Sequence, residues 1–245
     1  VDSTLIVAMA IVAVAGTIFG MTGFGFALLS VPPLLLLYPP ETVIALIFCV
    51  SLPISAIVVA DARRDLDPRV LLSLLPGALV GLAIGVRILT WADPVILKLV
   101  AGVLVAGYSL LLLRGFQPRG AGGLPAAVAA GLASGALATS TGISGPPVIM
   151  LLTARRVAVH AFRVTTSAYF VFIDIVGLGA LLAAGAVGRA DLVAALALTP
   201  AALVGTLAGN RLVRRLDARQ FRVLTLALLL LTGLSGMVTA LAALR

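Results

Sequence analysis

Gly135-Ala136-Leu137-Ala138-Thr139-Ser140-Thr141-Gly142-Ile143-Ser144-Gly145-Pro146-Pro147 interrupts a long apolar run near the middle of a 245-residue chain. Proline is best tolerated in the first turn of a helix, where its missing N–H costs no intrahelical bond. The stretch therefore predicts a helix that stops, a short polar break, and a second helix that starts at the two prolines. Inside a bilayer such a break survives only when it is buried in protein or lines a wet cavity. Broken helices of this kind are where secondary transporters hold their substrates. A weaker copy lies near the N-terminus, with Gly16, then Gly20-Met21-Thr22-Gly23-Phe24-Gly25, followed by Pro32-Pro33. Gly16 matches Gly135, and Thr22-Gly23 matches Thr141-Gly142, at one shift of 119 residues.

The surroundings of the two breaks are lipid-like. Hydrophobic residues make up 62% of the chain and charged residues 11%, against about 25% charged in soluble domains. Runs of Leu, Ala and Val without strict alternation favour helices over a barrel. The net charge of +8 is carried mainly by arginines in short loops between apolar runs, which points to membrane topology rather than nucleic acid. One cysteine (Cys49) and one histidine (His160) exclude an internal disulfide and argue against a metal site. No cofactor is expected. Gly20-Met21-Thr22-Gly23-Phe24-Gly25 does not fit a dinucleotide fingerprint, and no phosphate loop or catalytic dyad is present, so the chain is not read as an enzyme. The first residues, Val1-Asp2-Ser3-Thr4, lack the positive region of a cleavable leader.

Ten apolar runs follow in order, over about 4–19, 26–37, 42–60, 69–89, 94–113, 124–138, 146–153, 164–184, 191–209 and 221–244. A full span needs about 20 residues, so the second and seventh are too short, and each break is expected to be the tip of a hairpin. The halves repeat: Pro76, Gly81, Gly85 and Arg87 match Pro200, Gly205, Gly209 and Arg211 at a shift of 124, which also carries Asp67 onto Asp191 and Asp93 onto Asp217. The expected fold is an all-α polytopic membrane protein of two inverted repeats, each a broken, re-entrant hairpin plus three transmembrane helices. Residues 1–113 form the first repeat, 114–123 a cytoplasmic linker and 124–245 the second repeat. Each half has an odd number of crossings, so the second is inverted. Thirteen basic residues (Arg63, Arg64, Arg69, Arg114, Arg119, Arg155, Arg156, Arg163, Arg211, Arg214, Arg215, Arg219, Arg222) then fall on one side, and Arg87, Lys98, Arg189 and Arg245 on the other. The rich side is expected to be cytoplasmic, with both termini periplasmic.

Helix N-termini present free N–H groups and partial positive charge. Two such ends, near Gly25 and Gly145, meeting at the midplane would bind an anion without a buried cation. The expected substrate site is Thr22, Gly23, Gly25, Ser140, Thr141, Gly142, Ser144 and Gly145, with hydroxyls, Thr139 included, as neutral donors. The competing structural reading is that the glycines permit helix packing and the hydroxyls bond back to their own helix. Packing is the favoured reading for Gly16 and Gly135, and for the pairs Gly81/Gly85 and Gly205/Gly209. Asp174 lies deep in the apolar run Val171-Phe172-Ile173-Asp174-Ile175-Val176-Gly177. Intramembrane carboxyls are costly and usually functional, so Asp174 is the candidate carrier of a coupling proton. Its alternative is a structural hydrogen bond. Arg163 is a candidate anion attractor at the cytoplasmic mouth, or a plain positive-inside residue. Arg87 and Arg211 are expected to snorkel or to pair with Asp93 and Asp217.

The chain resembles the sulfite exporter TauE/SafE family, also called the four-toluene-sulfonate uptake permeases. The resemblance rests on Ser140-Thr141-Gly142-Ile143-Ser144-Gly145-Pro146-Pro147-Val148, on Leu151-Leu152-Thr153-Ala154-Arg155, on Phe162-Arg163-Val164-Thr165 and on the duplicated organisation. The first break departs from the family pattern, with Gly23-Phe24-Gly25-Phe26 where a run of glycines is common. The resemblance implies a bacterial inner-membrane transporter of small sulfur-containing or organic anions such as sulfite, sulfonates or sulfoacetate, working by alternating access. The residues alone support a small anion at an electrically neutral site, with the lipid bilayer and a proton as further partners. The assembly, a homodimer included, is left open. An anion channel on the same fold and a non-transporting membrane scaffold remain as alternatives.

Overall fold

Proline and aspartate set where the helices begin. The computed structural model describes residues 3–114, 123–212 and 234. Among them are nine α-helices and no strand: α1 (Ser3–Thr22), α2 (Phe26–Leu34), α3 (Pro40–Ala62), α4 (Pro68–Trp91), α5 (Pro94–Leu113), α6 (Leu124–Thr141), α7 (Gly145–Ala154), α8 (Val159–Ala183) and α9 (Arg189–Leu212). Pro40, Pro68 and Pro94 occupy first helical positions, where φ near −65° is already helical. The Asp67 carboxylate caps α4, accepting from the N–H groups of Arg69 and Val70 at 3.0 and 3.1 Å. Asp93 accepts from Val95 N–H at 2.7 Å and opens α5. Of the two expectations for Arg87, the exposed side chain with its guanidinium 4.1 Å over the Trp91 ring fits snorkelling at the helix end. Most of linker 114–123, the tenth run (221–244) apart from Leu234, and Arg119, Arg214, Arg215, Asp217, Arg219, Arg222 and Arg245 lie outside the described residues.

Among the described residues six helices are long and apolar enough to cross a membrane: α1, α3, α4, α6, α8 and α9. The chain is an all-helical, polytopic membrane protein. Its outward faces are apolar as well as its core: Leu196 is 71% and Val204 68% exposed, as lipid-facing positions require. The first arm of each hairpin, α1 or α6, is itself of spanning length. Only the returning arms are short, 9 residues in α2 and 10 in α7, or about 14–15 Å at 1.5 Å per residue. His160, expected in a loop, sits exposed in the first turn of α8, which starts five residues before the expected boundary.

Small residues hold the helices together. A Cβ on Gly77, Gly81 or Gly85 of α4 would run into the backbone of α6 at Val128, Leu132 or Ala136, and one on Gly131 or Gly135 would meet α4 at Leu74 or Ala78. The second seam is built alike: Gly16 and Gly20 of α1 abut Ala202 and Thr206 of α9, and Gly205 and Gly209 abut Ala13 and Thr17. Numbers rise together along both seams, so α4 runs parallel to α6 and α1 parallel to α9. Lipid offers no hydrophobic drive for helix association, so this close backbone approach supplies it through dispersion contacts. Forcing a side chain into such a seam costs typically 1–3 kcal/mol or more. Gly16 and Gly135 are therefore packing residues.

Between the seams, α3 and α8 cross the centre in opposite directions. The Phe48 ring of α3 lies against Gly177 of α8, close enough that a Cβ there would stand 2.8 Å from Cε2. Two junctions pin the ends. Thr42 of α3 donates its hydroxyl to Asp191 at the start of α9 (2.6 Å), and the Asp67 N–H before α4 donates to the Thr165 hydroxyl of α8 (3.1 Å).

Candidate functional site

The two breaks are shorter than their sequence suggests. Helix α1 continues through Gly20, Met21 and Thr22, and α6 through Thr139, Ser140 and Thr141. Only Gly23-Phe24-Gly25 and Gly142-Ile143-Ser144 are non-helical. Each break turns on glycine in the left-handed region: φ is 76° at Gly23, 91° at Gly25 and 78° at Gly142, a conformation that costs other L-residues roughly 1–2 kcal/mol. Gly142 caps α6, its N–H donating to Ala138 C=O at 3.0 Å. The Ser134 hydroxyl of α6 reaches across the second break to Ser144 C=O at 2.6 Å.

The back-bonding alternative describes most of the hydroxyls. Ser140 donates to Ala136 C=O (2.6 Å) and Thr141 to Leu137 C=O (2.8 Å). Thr139 reaches Leu82 C=O on α4 at 2.9 Å. The Thr22 hydroxyl closes the first break, accepting from Phe24 N–H at 3.1 Å with Ile18 C=O and Phe24 C=O within donating reach. These bonds occupy the hydroxyls on carbonyls of the helices themselves, so the polar residues continue α1 and α6 without an unpaired hydroxyl.

What remains converges on one cavity. It has about 380 Å³ of space unfilled by atoms, counting the part continuous with the outside. Gly25, Phe26, Ala27 and Leu28 from the start of α2 line it, with Ser144 and Gly145 from the start of α7, Ser51 from α3 and Asp174 from α8. Phe19, Ile47, Phe48 and Phe170 complete the wall, and among the described residues no basic side chain lines it. So Gly25, Ser144, Gly145 and Asp174 are brought together, whereas Thr22, Gly23, Ser140, Thr141 and Gly142 stand behind them. Helix geometry leaves the first N–H groups of α2 free, at Phe26, Ala27 and Leu28. On α7 the prolines at 146 and 147 have no N–H, so Gly145 is the principal backbone donor there.

Asp174 is 3% exposed. Ser51, whose hydroxyl lies 3.5 Å from that of Ser55, lines the same cavity, and Asp174 Oδ2 has no partner among the described residues. Sequence reasoning missed Ser51 and the aromatic wall. A signal for Ser51 existed: the paired junctions relate Thr42 to Thr165 at a shift of 123, and that shift sets Ser51 against Asp174. Arg163 lies at the first break rather than at an open mouth. Its Nη2 donates to Gly20 C=O at 2.9 Å and to the Asn210 side chain, and its stem fills the space a Cβ on Gly23 would need.

The family model for sulfite exporter TauE/SafE matches residues 8–236, a stretch that takes in both breaks and Asp174. The chain belongs to the sulfite exporter TauE/SafE family. No curated protein and no solved structure matches it. As a TauE/SafE protein it is a multi-pass membrane transporter of the sulfite and anion exporter class, and that family is not one of enzymes. In this TauE/SafE chain the cavity combines backbone donors, two serine hydroxyls and one carboxyl.

Proposed function

We propose that the cavity holds one small sulfur-containing or organic anion, such as sulfite or a sulfonate, and that the anion shares it with a proton on Asp174. The observation that carries this reading is the meeting of both break termini with the Asp174 carboxyl, its Oδ2 unpartnered, in a cavity that no cation lines among the described residues. Backbone N–H groups, helix dipoles and the hydroxyls of Ser51 and Ser144 attract an anion without the cost of an empty buried cation. An ionised Asp174 would oppose it. Two unit charges about 5 Å apart at an effective dielectric near 20 repel by about 3 kcal/mol. The neutral carboxyl removes that repulsion and offers an O–H donor, so proton and anion bind as a pair, each raising the affinity of the other by linkage.

Release to the opposite side requires the site to open alternately. The two hairpins and the parallel seams α1–α9 and α4–α6 exchange under the sequence repeat, which supports two inverted halves divided at 114–123 and a rocking of one against the other. The test is counterflow in proteoliposomes. Preloading with unlabelled sulfite should drive transient accumulation of labelled sulfite above its equilibrium level. Flux that only dissipates the gradient, with a steady anion current, would make the protein a channel and overturn alternating access.

The arginine-rich end, with Arg63, Arg64, Arg69, Arg155, Arg156 and Arg211, faces the cytoplasm of a bacterial inner membrane by the positive-inside rule, and the N-terminus faces the periplasm. Arg64 and Arg189 are both exposed and end opposite helix termini. In a Cys49→Ala background, a membrane-impermeant thiol reagent added to intact cells should label Arg189→Cys and spare Arg64→Cys. The reverse pattern inverts the orientation.

A further inference from the structure

Many helical hydroxyls in this protein bond back to the carbonyl four residues earlier. Thr17, Ser30, Thr153 and Thr199 do so at 2.7–2.9 Å. Thr166 and Ser167 of α8 have the same option, at Phe162 and Arg163, and do not take it. Both are 0% exposed, and neither hydroxyl has a partner among the described residues. Three and four residues before them stands Arg163, whose Nε is also buried and unpartnered. Residues at i, i+3 and i+4 are neighbours on a helix surface. A guanidinium nitrogen can only donate, and the two hydroxyls are free to donate. Arg163 Nε and the Thr166 and Ser167 hydroxyls therefore share one stretch of helix surface with no partner among the described residues, and buried polar groups in native structures are otherwise almost always satisfied.

We infer that Arg163, Thr166 and Ser167 form a second anion station, separate from the cavity and on its arginine-rich side. The ligand class is a small oxyanion with several acceptor oxygens, such as sulfite or a sulfonate. Arg163 is anchored on one side only. Its Nη2 is tied to Gly20 C=O and Asn210, which fixes the guanidinium and leaves Nε free. The carboxyl end of α1 at Gly20 partly offsets its charge while the station is empty. Ser167 lies about 6 Å along the helix axis from Arg163, and Asp174 about 10 Å beyond Ser167. Phe170 stands between Ser167 and Asp174 in the chain and forms part of the cavity wall. The station is thus a waiting position for an anion passing between the arginine-rich side and the cavity.

This inference rests on the anion-transport reading, and the test separates the two. Thermal stabilisation by methanesulfonate is measured at matched ionic strength, in wild type, in Gly145→Val, and in both backgrounds carrying Thr166→Val with Ser167→Ala, which keep side-chain shape. Gly145→Val should retain a weak stabilisation, and adding the two hydroxyl deletions should weaken it by roughly ten-fold or more in midpoint concentration. Arg163→Lys, which keeps the charge but lacks Nε, should give the same loss. Residual stabilisation that ignores the hydroxyl deletions and Arg163→Lys, or that vanishes with Gly145→Val alone, overturns the station and leaves the cavity standing. Loss on hydroxyl deletion with no effect of Gly145→Val would support the station and overturn the cavity. A wild type that methanesulfonate does not stabilise at all overturns both.

Discussion

Gly145→Val is expected to abolish anion binding in the cavity while leaving the protein folded. Gly145 has ordinary helical φ, so a side chain there carries no backbone strain. A Cβ would stand 3.2 Å from Ile149 Cδ1 and 3.8 Å from Phe170 Cζ, both ends of side chains that can give way. The branched methyls of valine would then occupy the space between α7 and Phe170 and cover the one good backbone donor at that end. Charge-assisted hydrogen bonds contribute roughly 1.5–3 kcal/mol each. Losing the Gly145 contact and the room for the ligand should weaken affinity on the order of 100-fold or more. Ser144→Ala removes one hydroxyl and should weaken it only several-fold. The readout is high-affinity anion binding by calorimetry on monodisperse protein. A well-folded Gly145→Val protein with wild-type affinity would move the site elsewhere.

The second large effect belongs to Asp174→Asn. Its carboxyl shares the cavity with the ligand, so the sign of the pH dependence follows from charge alone. Raising the pH ionises Asp174, the carboxylate repels the anion, and affinity falls. Lowering it restores the neutral carboxyl and the affinity. A sulfonate keeps its charge throughout and isolates this term from titration of the ligand. Wild-type affinity for methanesulfonate should drop roughly 100-fold between the protonated and ionised limits, the counterpart of about 3 kcal/mol of repulsion. Asp174→Asn should bind at all pH values about as tightly as wild type does at low pH, and its anion flux should no longer move protons. Undiminished pH dependence in the variant would exclude Asp174 as the proton carrier.

Much of this arrangement is legible in the sequence because glycine, proline and aspartate act locally. Pro40, Pro68 and Pro94 mark helix starts, and the double proline at 146–147 correctly places the start of α7 to within one residue. The glycine pairs at 81/85 and 205/209 announce close helix seams, because in lipid only small residues let backbones touch. The breaks read too long because hydroxyl residues look like helix breakers. At Thr22, Ser140 and Thr141 they instead bond back to the carbonyl four residues earlier and remain helical. Pro32-Pro33 lies in the last turn of α2 rather than the first, and the start at Phe26 is where the apolar run over 26–37 begins. The partners of Arg163, Gly20 and Asn210, lie 143 and 47 residues away, and no local pattern carries such distances. The aromatic wall of Phe19, Phe26, Phe48 and Phe170 is hidden by composition, since in a chain this apolar nothing marks which face turns inward.

The most direct measurement is anomalous diffraction from crystals grown with selenite, the heavier analogue of sulfite. An anomalous peak is expected in the cavity, within hydrogen-bond reach of the N–H groups at the start of α2 and of Gly145, beside Ser51 and Asp174. A cavity without selenium, with the peak elsewhere on the protein, would contradict the assignment of the cavity as the anion site.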